Sequence, residues 1–295
     1  VEAVKHFISP RLSALSDPFL LPDMEAAVHR ILRAIDFGEK IVLYGDYDVD
    51  GLTSLTVLWR MLNYYHAKVD CFMPLRREEG YGLSLKGVER CVEEHQPRLL
   101  IAIDCGTSSV SEVSELNKQG VDVVILDHHE CPPVLPECVA LVNPKRGSTL
   151  SYLCSVGIAF KTAHALLKQR PNPGVDIKEF LDLVALGSIA DLVPLIEENR
   201  ILVHKGLLQM ENTKWQGLKT LAKNLGVKPP WVSSDIGFKL GPRLNAAGRL
   251  GEARRALDLL MCTEESAAEA FVRELELENN QRKTIGDQVH QLSLI

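Results

Sequence analysis

Several features are missing from this 295-residue chain, and each absence removes a class of protein. No apolar run reaches the roughly 18 residues that a membrane-spanning helix needs, so no such helix is expected. The first residues, VEAVKHFISP, lack the charged start, apolar core and small-residue cleavage site of a secretory signal, and a cytoplasmic location is the expectation. Cysteine is present seven times (Cys71, Cys91, Cys105, Cys131, Cys138, Cys154 and Cys262), but never in the C-x-x-C spacing of a zinc ribbon or thioredoxin-like site. The odd number and the apolar surroundings of several of them read as reduced thiols. No G-x-S-x-G elbow, Walker A loop or G-x-G-x-x-G fingerprint occurs, which sets aside serine-hydrolase, P-loop and dinucleotide readings. Basic excess is missing too. The formal charge of −6 argues at first against a nucleic-acid partner. That argument weakens if the acids surround metals, because two divalent ions would bring the sum to about −2 and leave the basic residues free to gather on one face.

With 46% apolar and 24% charged residues, the composition is that of a globular protein with a substantial core. From 40 to about 143, short runs rich in Val, Ile and Leu alternate with stretches of helical length. The runs are KIVLYG (40–45), KVDCFMP (68–74), RLLIAID (98–104), VDVVILD (121–127) and CVALVN (138–143); helices are predicted at 51–66, 84–95 and 107–119. Strand, helix, strand in repetition predicts an α/β fold: a parallel sheet with helices on both faces. Beyond about Tyr152 the strand signal stops, and 153–169, 176–190, 198–211 and 251–261 read as helices separated by RPNPG (170–174) and VKPPW (227–231). The last stretch, 264–290, is long, charged and amphipathic, with no obvious second helix to pack against. Two readings stay open for it, a connector to a further domain or a terminal helix docked on its own core. The expected organisation is an N-terminal segment with a helix (1–39), a catalytic domain (40–262, sheet 40–150 and helical part 151–262) and a connector helix (263–295).

The strongest signal follows the first strand: Gly45-Asp46-Tyr47-Asp48-Val49-Asp50-Gly51. Three carboxylates in one compact loop repel one another, and a bound cation is the usual remedy. An EF-hand is excluded, because its loop needs a Glu at the twelfth position, which here is Val57, and a helix before it. A solvated turn with an Asp capping the next helix is the plainer alternative. Other strands, however, end in the same way: RLLIAID on Asp104, and VDVVILD on Asp127 followed by His128 and His129. In a parallel sheet the carboxyl ends share one edge, where ligands bind, so three strands deliver Asp48 and Asp50, Asp104 and the histidine pair to one rim. Asp191 is the sole charge in LVALGSIADLVPL (183–195), and a buried carboxylate must be paired or coordinate a metal. Asp182 lies nine positions earlier, half a turn round a helix, and is expected to be solvated. Oxygen donors with imidazole and no thiolate favour Mn²⁺ or Mg²⁺. Asp104, central in the set, could bridge two ions, an arrangement suited to phosphoryl transfer.

At these residues the sequence resembles the DHH phosphoesterase superfamily, and within it the RecJ exonucleases. The resemblance rests on GDYDVDG (45–51), FMPLRREEGYGL (72–83), Asp127-His128-His129, ALGSIADLVPL (185–195) and GPRLNAAGRLG (241–251). It implies a metal-dependent exonuclease of single-stranded DNA that runs 5′→3′ and releases mononucleotides in DNA repair and recombination. It also implies single-strand-binding protein and a helicase as partners. Carried over by position, Asp48 and Asp104 hold one metal, and Asp50, Asp104, His128 and Asp191 hold the other. His129 sits by the scissile phosphate and assists catalysis. Pyrophosphatase-type members have a His where this chain has Tyr44, which leaves the first metal a ligand short; Asp46 is the substitute. Arg76 resembles the arginine directed at DNA phosphates, although a surface pair with Glu78 or Glu79 would also account for it. Arg243, Asn245 and Arg249, in a Gly-rich segment read as lying between helices, suit backbone phosphate contact, or else capping and loop packing. RecJ relatives continue through a connecting helix into a second domain, and the missing start Met reads as a fragment. The alternatives are a nuclease of short oligonucleotides or cyclic dinucleotides on the same scaffold, and a catalytically dead DNA-binding scaffold.

Overall fold

The computed structural model of the chain describes residues 8–76, 78–250 and 253–293. Five parallel strands form one sheet: β1 (Lys40–Gly45), β2 (Lys68–Phe72), β3 (Leu99–Ile103), β4 (Asp122–Leu126) and β5 (Ala140–Val142). They lie in the order β2-β1-β3-β4-β5, so the direction of strand addition reverses between β1 and β3. Successive side chains of a strand point to opposite faces, and the two cores divide accordingly. Ile41, Leu43, Leu99, Ile101 and Val124 belong to one, Val42, Tyr44, Leu100, Ala102 and Val123 to the other. Helices α1 (Met24–Asp36) and α2 (Val49–Tyr64) cover the first face; α3 (Leu85–His95) and α4 (Val110–Lys118) cover the second. The expected α/β sheet is therefore present, with strand ends shifted by one or two residues.

The helical part contains α5 (Ser155–Gln169), α6 (Leu181–Ala190), α7 (Glu197–Met210) and α8 (Gln216–Asn224). It ends with α9 (Gly241–Leu250), α10 (Arg254–Met261) and α11 (Glu265–Ser293). Three expectations need correction here. The GPRLNAAGRLG segment is not a loop between helices: through Leu250 it is helix α9, entered from a single turn (Ser233–Asp235) and a π-turn (Ile236–Leu240). Gly248 serves close packing; a Cβ there would stand 2.7 Å from the Tyr47 carbonyl oxygen, so only glycine lets α9 lie against the acidic loop. The terminal stretch does find partners, since α11 packs on α8, α9 and α10 through buried Ala268, Val272 and Leu275. Ion pairs Arg243–Glu276 and Arg255–Glu278 add to that contact.

Asp182 is the third correction. Its helical phase against Asp191 was right, but α6 is buried along its whole length, so the opposite face meets protein rather than water. Fully buried, Asp182 accepts hydrogen bonds from the Leu183 amide (2.8 Å), the Thr213 hydroxyl (2.5 Å) and the Trp215 indole N–H (3.0 Å). Burial pushes its carboxyl up to about 6, against these donors. Asp182→Ala would leave the Thr213 and Trp215 donors without their acceptor; each orphaned group costs roughly 1–3 kcal/mol, so unfolding free energy should fall by about 2–4 kcal/mol. Urea titration checks this, and an unchanged midpoint would mean that water reaches both donors.

Candidate metal centre

Strand register builds the site. Gly45 pairs with Ile103 and Ile103 with Leu126, so the next residues, Asp46, Asp104 and Asp127, stand in one row at the carboxyl rim of β1, β3 and β4. The ladder continues one step beyond the strands, with the Asp104 amide on Leu126 O at 3.0 Å and the Asp127 amide on Val142 O at 3.1 Å. Asp104 has φ +62°, a left-handed conformation that costs a side-chain-bearing residue ~1 kcal/mol and that Asp tolerates better than most.

From β1 the chain turns directly into α2. Asp48 is the N-cap, accepting from the Gly51 amide at 3.0 Å, and Asp50 lies in the first turn. A second helix meets Asp50 head-on: the amides of Ser155 and Val156, first residues of α5, donate to its two oxygens at 2.7 and 2.9 Å. The Ser155 hydroxyl donates to Asp104 at 2.8 Å. Two helix N-termini, each the positive end of its dipole, thus converge on the acids. Gly187 of α6 permits the crowding, because a Cβ there would fall 2.4 Å from Thr53 Oγ1 and 3.1 Å from Asp50 Oδ1.

His128 and Asp191 close the group. His128 Nε2 lies 3.3 Å from Asp104, 3.8 Å from Asp50 and 3.8 Å from Asp191. Asp191 caps the C-terminus of α6, where the dipole disfavours an anion, and it is 22% exposed rather than buried. His129 has other partners. Its Nδ1 is 2.7 Å from Asp127, which also accepts from the amides of Thr107 (2.9 Å), His128 (2.8 Å) and His129 (3.2 Å). Its Nε2 is 3.2 Å from the hydroxyl of exposed Tyr81. Asn143 steadies this loop by donating to His129 O (2.9 Å) and Thr107 Oγ1 (3.0 Å).

Donor atoms within 4.8 Å of one another group Asp46 with Asp48 and Asp104, Asp104 with His128 and His129, and Asp50 with Asp191 and Cys154. The electrostatics are those of a cation site without its charge. Burial and then Asp48 push Asp46 up to about 7. Burial and then Asp191 raise Asp50, and burial and then Asp50 raise Asp104. Asp191 stands at about 6 through burial and Asp48, and burial drops His128 to about 4. Each group is driven toward its neutral form. Asp127 is the exception: burial would raise it, but the hydrogen bond and charge of His129 hold it low, and the same bond raises His129. The test of fit is Asp46. It is 1% exposed, and its carboxylate oxygens have no well-formed hydrogen bond among the described residues, the Tyr47 amide and the Tyr81 hydroxyl offering only loose ones. A buried carboxylate so weakly partnered is costly, and a coordinated cation satisfies it.

Other predicted residues fall differently. Tyr44 supplies no ligand: its ring is in the core of the opposite face, and its hydroxyl donates to Gly82 O at 3.1 Å. Arg76 is exposed, its guanidinium 4.9 Å from the centroid of Tyr47, between Asp46 and Asp48; Glu79 is taken by Arg90 at 2.5 Å. Arg243 pairs with Glu276 at 3.0 Å, and Asn245 accepts from the Val49 amide at 3.1 Å, tying α9 to the acidic loop. The side chain of Arg249 lies outside the described residues. Sequence reasoning gave no role to Asp127, Ser155, Asn143 or Tyr81. Asp127 was legible in principle as the third strand-end acid. The others depend on tertiary proximity.

Comparison with known proteins fits this geometry. Residues 40–188 match the DHH family, N-terminal domain. The chain is 41% identical over 286 residues to the single-stranded-DNA-specific exonuclease RecJ of Bacillus subtilis (strain 168), covering 96% of this chain and 36% of that protein. A crystal structure of exonuclease RecJ bound to manganese superimposes with TM-score 0.86 at 35% identity, over 95% of this chain and 70% of that one. RecJ from Thermus thermophilus in complex with Mg²⁺ gives 0.69 at 30%, over 97% and 38%. The chain spans between 36% and 52% of the length of the curated RecJ relatives it matches.

A proton count tests the centre directly. Raised carboxyls mean that the metal-free folded protein keeps protons that the unfolded chain loses above about pH 4, so its stability falls as pH rises toward 7. A divalent cation displaces those protons. Mn²⁺ affinity should therefore rise between about pH 5 and 8, with proton release visible when calorimetry is repeated in buffers of different ionisation enthalpy. Equal heats in all buffers would show carboxylates already ionised.

Proposed function

This chain belongs to the DHH family, on its RecJ exonuclease branch, and from that premise we propose that it hydrolyses single-stranded DNA from the 5′ end, releasing mononucleotides. The observation that carries the reading is the convergence of Asp46, Asp48, Asp50, Asp104, His128 and Asp191 from separate elements, with Asp46 buried and only loosely bonded. Asp46, Asp48 and Asp104 would hold one divalent ion, and Asp50, Asp104, His128 and Asp191 the other, with Asp104 shared. Two such ions, Mn²⁺ or Mg²⁺, supply Lewis-acid activation and charge neutralisation for phosphodiester hydrolysis.

The chain's own groups do the rest. His128, kept neutral by burial, offers Nε2 as a donor to a cation. His129, bonded through Nδ1 to Asp127, whose charge favours its protonated form, would use Nε2, beside the Tyr81 hydroxyl, to stabilise charge on the scissile phosphate and return a proton to the leaving oxygen. Arg76, beside Tyr47 at the rim, binds a phosphate of the strand and sets its position without reading sequence. The exposed Tyr81 ring, edge-on to Tyr47 at 5.9 Å, offers an unpaired base a surface to stack on. Arg243 is spent on Glu276 and contributes to DNA binding only if that pair opens. A cytoplasmic location and a role in DNA repair and recombination go with this substrate.

Single-stranded DNA labelled at either end, incubated with Mn²⁺ beside a dinucleotide, tests the proposal. Stepwise shortening from the 5′ end is expected, and Asp104→Ala should lower the rate by at least about 10³-fold, because both ions lose a ligand. Hydrolysis of the dinucleotide alone would favour the short-oligonucleotide reading, and wild-type rates in Asp104→Ala would end the two-ion mechanism. Arg76→Ala should weaken binding of single strands and reduce the slope of log K against log salt by about one unit or slightly less. Unchanged affinity and slope would make Arg76 a surface side chain.

A further inference from the structure

The donor set around the second ion position is not uniformly hard. Cys154 is the N-cap of α5 and fully buried, and its sulfur lies within 4.8 Å of ligand oxygens of both Asp50 and Asp191. The three come from different places in the sequence: the first turn of α2, the end of α6 and the start of α5. Their spacing is fixed. The Ser155 and Val156 amides clamp Asp50 to the same turn that carries Cys154, and Gly187 brings α6 within contact of both Asp50 and Val156. The thiol has only a weak partner, the Ser188 hydroxyl at 3.5 Å. Asp50 and Asp191 each also stand 3.8 Å from His128 Nε2, and a RecJ structure that superimposes on this chain is manganese-bound.

We propose that Cys154 is a latent thiolate ligand that makes the second ion position metal-selective. A hard ion such as Mn²⁺ or Mg²⁺ leaves the thiol protonated on Ser188. A thiophilic divalent ion (Zn²⁺, Cd²⁺ or Co²⁺) takes the sulfur as a ligand beside Asp50 and Asp191, and the thiol proton passes to solvent. No electron is transferred; one S–H bond is exchanged for one sulfur–metal bond. The consequence is that thiophilic ions bind this position tightly and compete with the hard ions. This inference rests on the metal-centre reading and deepens it.

Titration of the whole chain with Co²⁺ separates the two ideas. Visible d–d bands report that the ion is bound, and near-ultraviolet sulfur-to-cobalt charge transfer reports that a thiolate holds it. The wild type should show both rising together, and Cys154→Ser and Cys154→Ala should keep the d–d bands and lose the charge transfer. In both variants Cd²⁺ affinity should fall at least about tenfold, the lower end of what losing even an outer partner costs, while Mn²⁺ affinity measured by electron paramagnetic resonance stays within about twofold. Saturating d–d bands without charge transfer in the wild type would overturn the thiolate assignment and leave the metal centre standing. Charge transfer that survives in both variants would assign it to another cysteine and overturn it equally. Absence of any Mn²⁺ or Co²⁺ binding would overturn the metal centre itself.

Discussion

Repulsion among carboxylates at the rim of the sheet is the constraint that the surrounding architecture answers. Register alone forces it: once β1, β3 and β4 pair as they do, Asp46, Asp104 and Asp127 must stand side by side. Asp48 and Asp50 add two more negative charges within a turn. The fold spends its available positive ends here, the N-termini of α2 and α5, and their amides satisfy Asp48 and Asp50. Partial charges of about +0.5 at each of two helix ends cannot balance this many acids. The remainder appears as carboxyls pushed toward neutrality and as a buried Asp46 with only loose hydrogen bonds. Cations that bind there meet oxygens whose desolvation and crowding the folding of the rest of the molecule has already covered. Such a site would keep a chain of net charge −6 compatible with the polyanionic substrate proposed for it.

Two adjacent histidines receive opposite instructions from this environment. His128 is turned inward among Asp50, Asp104 and Asp191, where burial favours the neutral ring. His129 is turned outward and bonded to Asp127, whose charge favours the protonated ring. The proposed metal donor and the proposed proton donor are thus neighbours in the chain. Asp127 makes the difference, because it is the one acid in the row whose charge is held by the amides of its own turn and by Thr107 rather than left for an ion.

Much of this was legible in the sequence, for a physical reason. Buried parallel strands are continuous apolar runs with abrupt polar ends, so both their existence and their rim residues can be read from one dimension. Asp48, Asp50, Asp104 and His128 are found together because each sits within a few residues of such an end or of the helix that follows it. Asp191 was found by a different cue, a single charge in an apolar stretch, but the burial inferred for it belongs to Asp182 instead. A helix enclosed on all sides has no solvent face, so phase alone cannot rank its two acids, and Asp182 is served by Thr213 and Trp215 from a distant turn. The Gly-rich segment at 241–251 shows the same limit. Its glycines resemble a loop by composition, whereas Gly248 is required by the Tyr47 backbone lying against it, and no local pattern encodes that neighbour.

Long-range contacts of that kind also decide which arginines are free to act. Arg76 and Arg243 look alike in sequence, each in a motif and each near glycine. In the folded chain Arg76 lies over an aromatic ring at the acidic rim, with its nearby candidate Glu79 captured by Arg90. Arg243 is locked between Glu276 and the Lys239 carbonyl, holding α11 to α9. An exposed guanidinium offers its hydrogen bonds to an incoming phosphate at little cost. One already bonded to a carboxylate must first break that pair and leave the acid exposed to the phosphate's charge. The same residue type is thus free for recognition at one place and committed to assembly at the other. Asn245, two positions after Arg243, joins the two by fixing α9 onto the first turn of α2, so the packing of the helical half bears directly on where the proposed metal ligands stand.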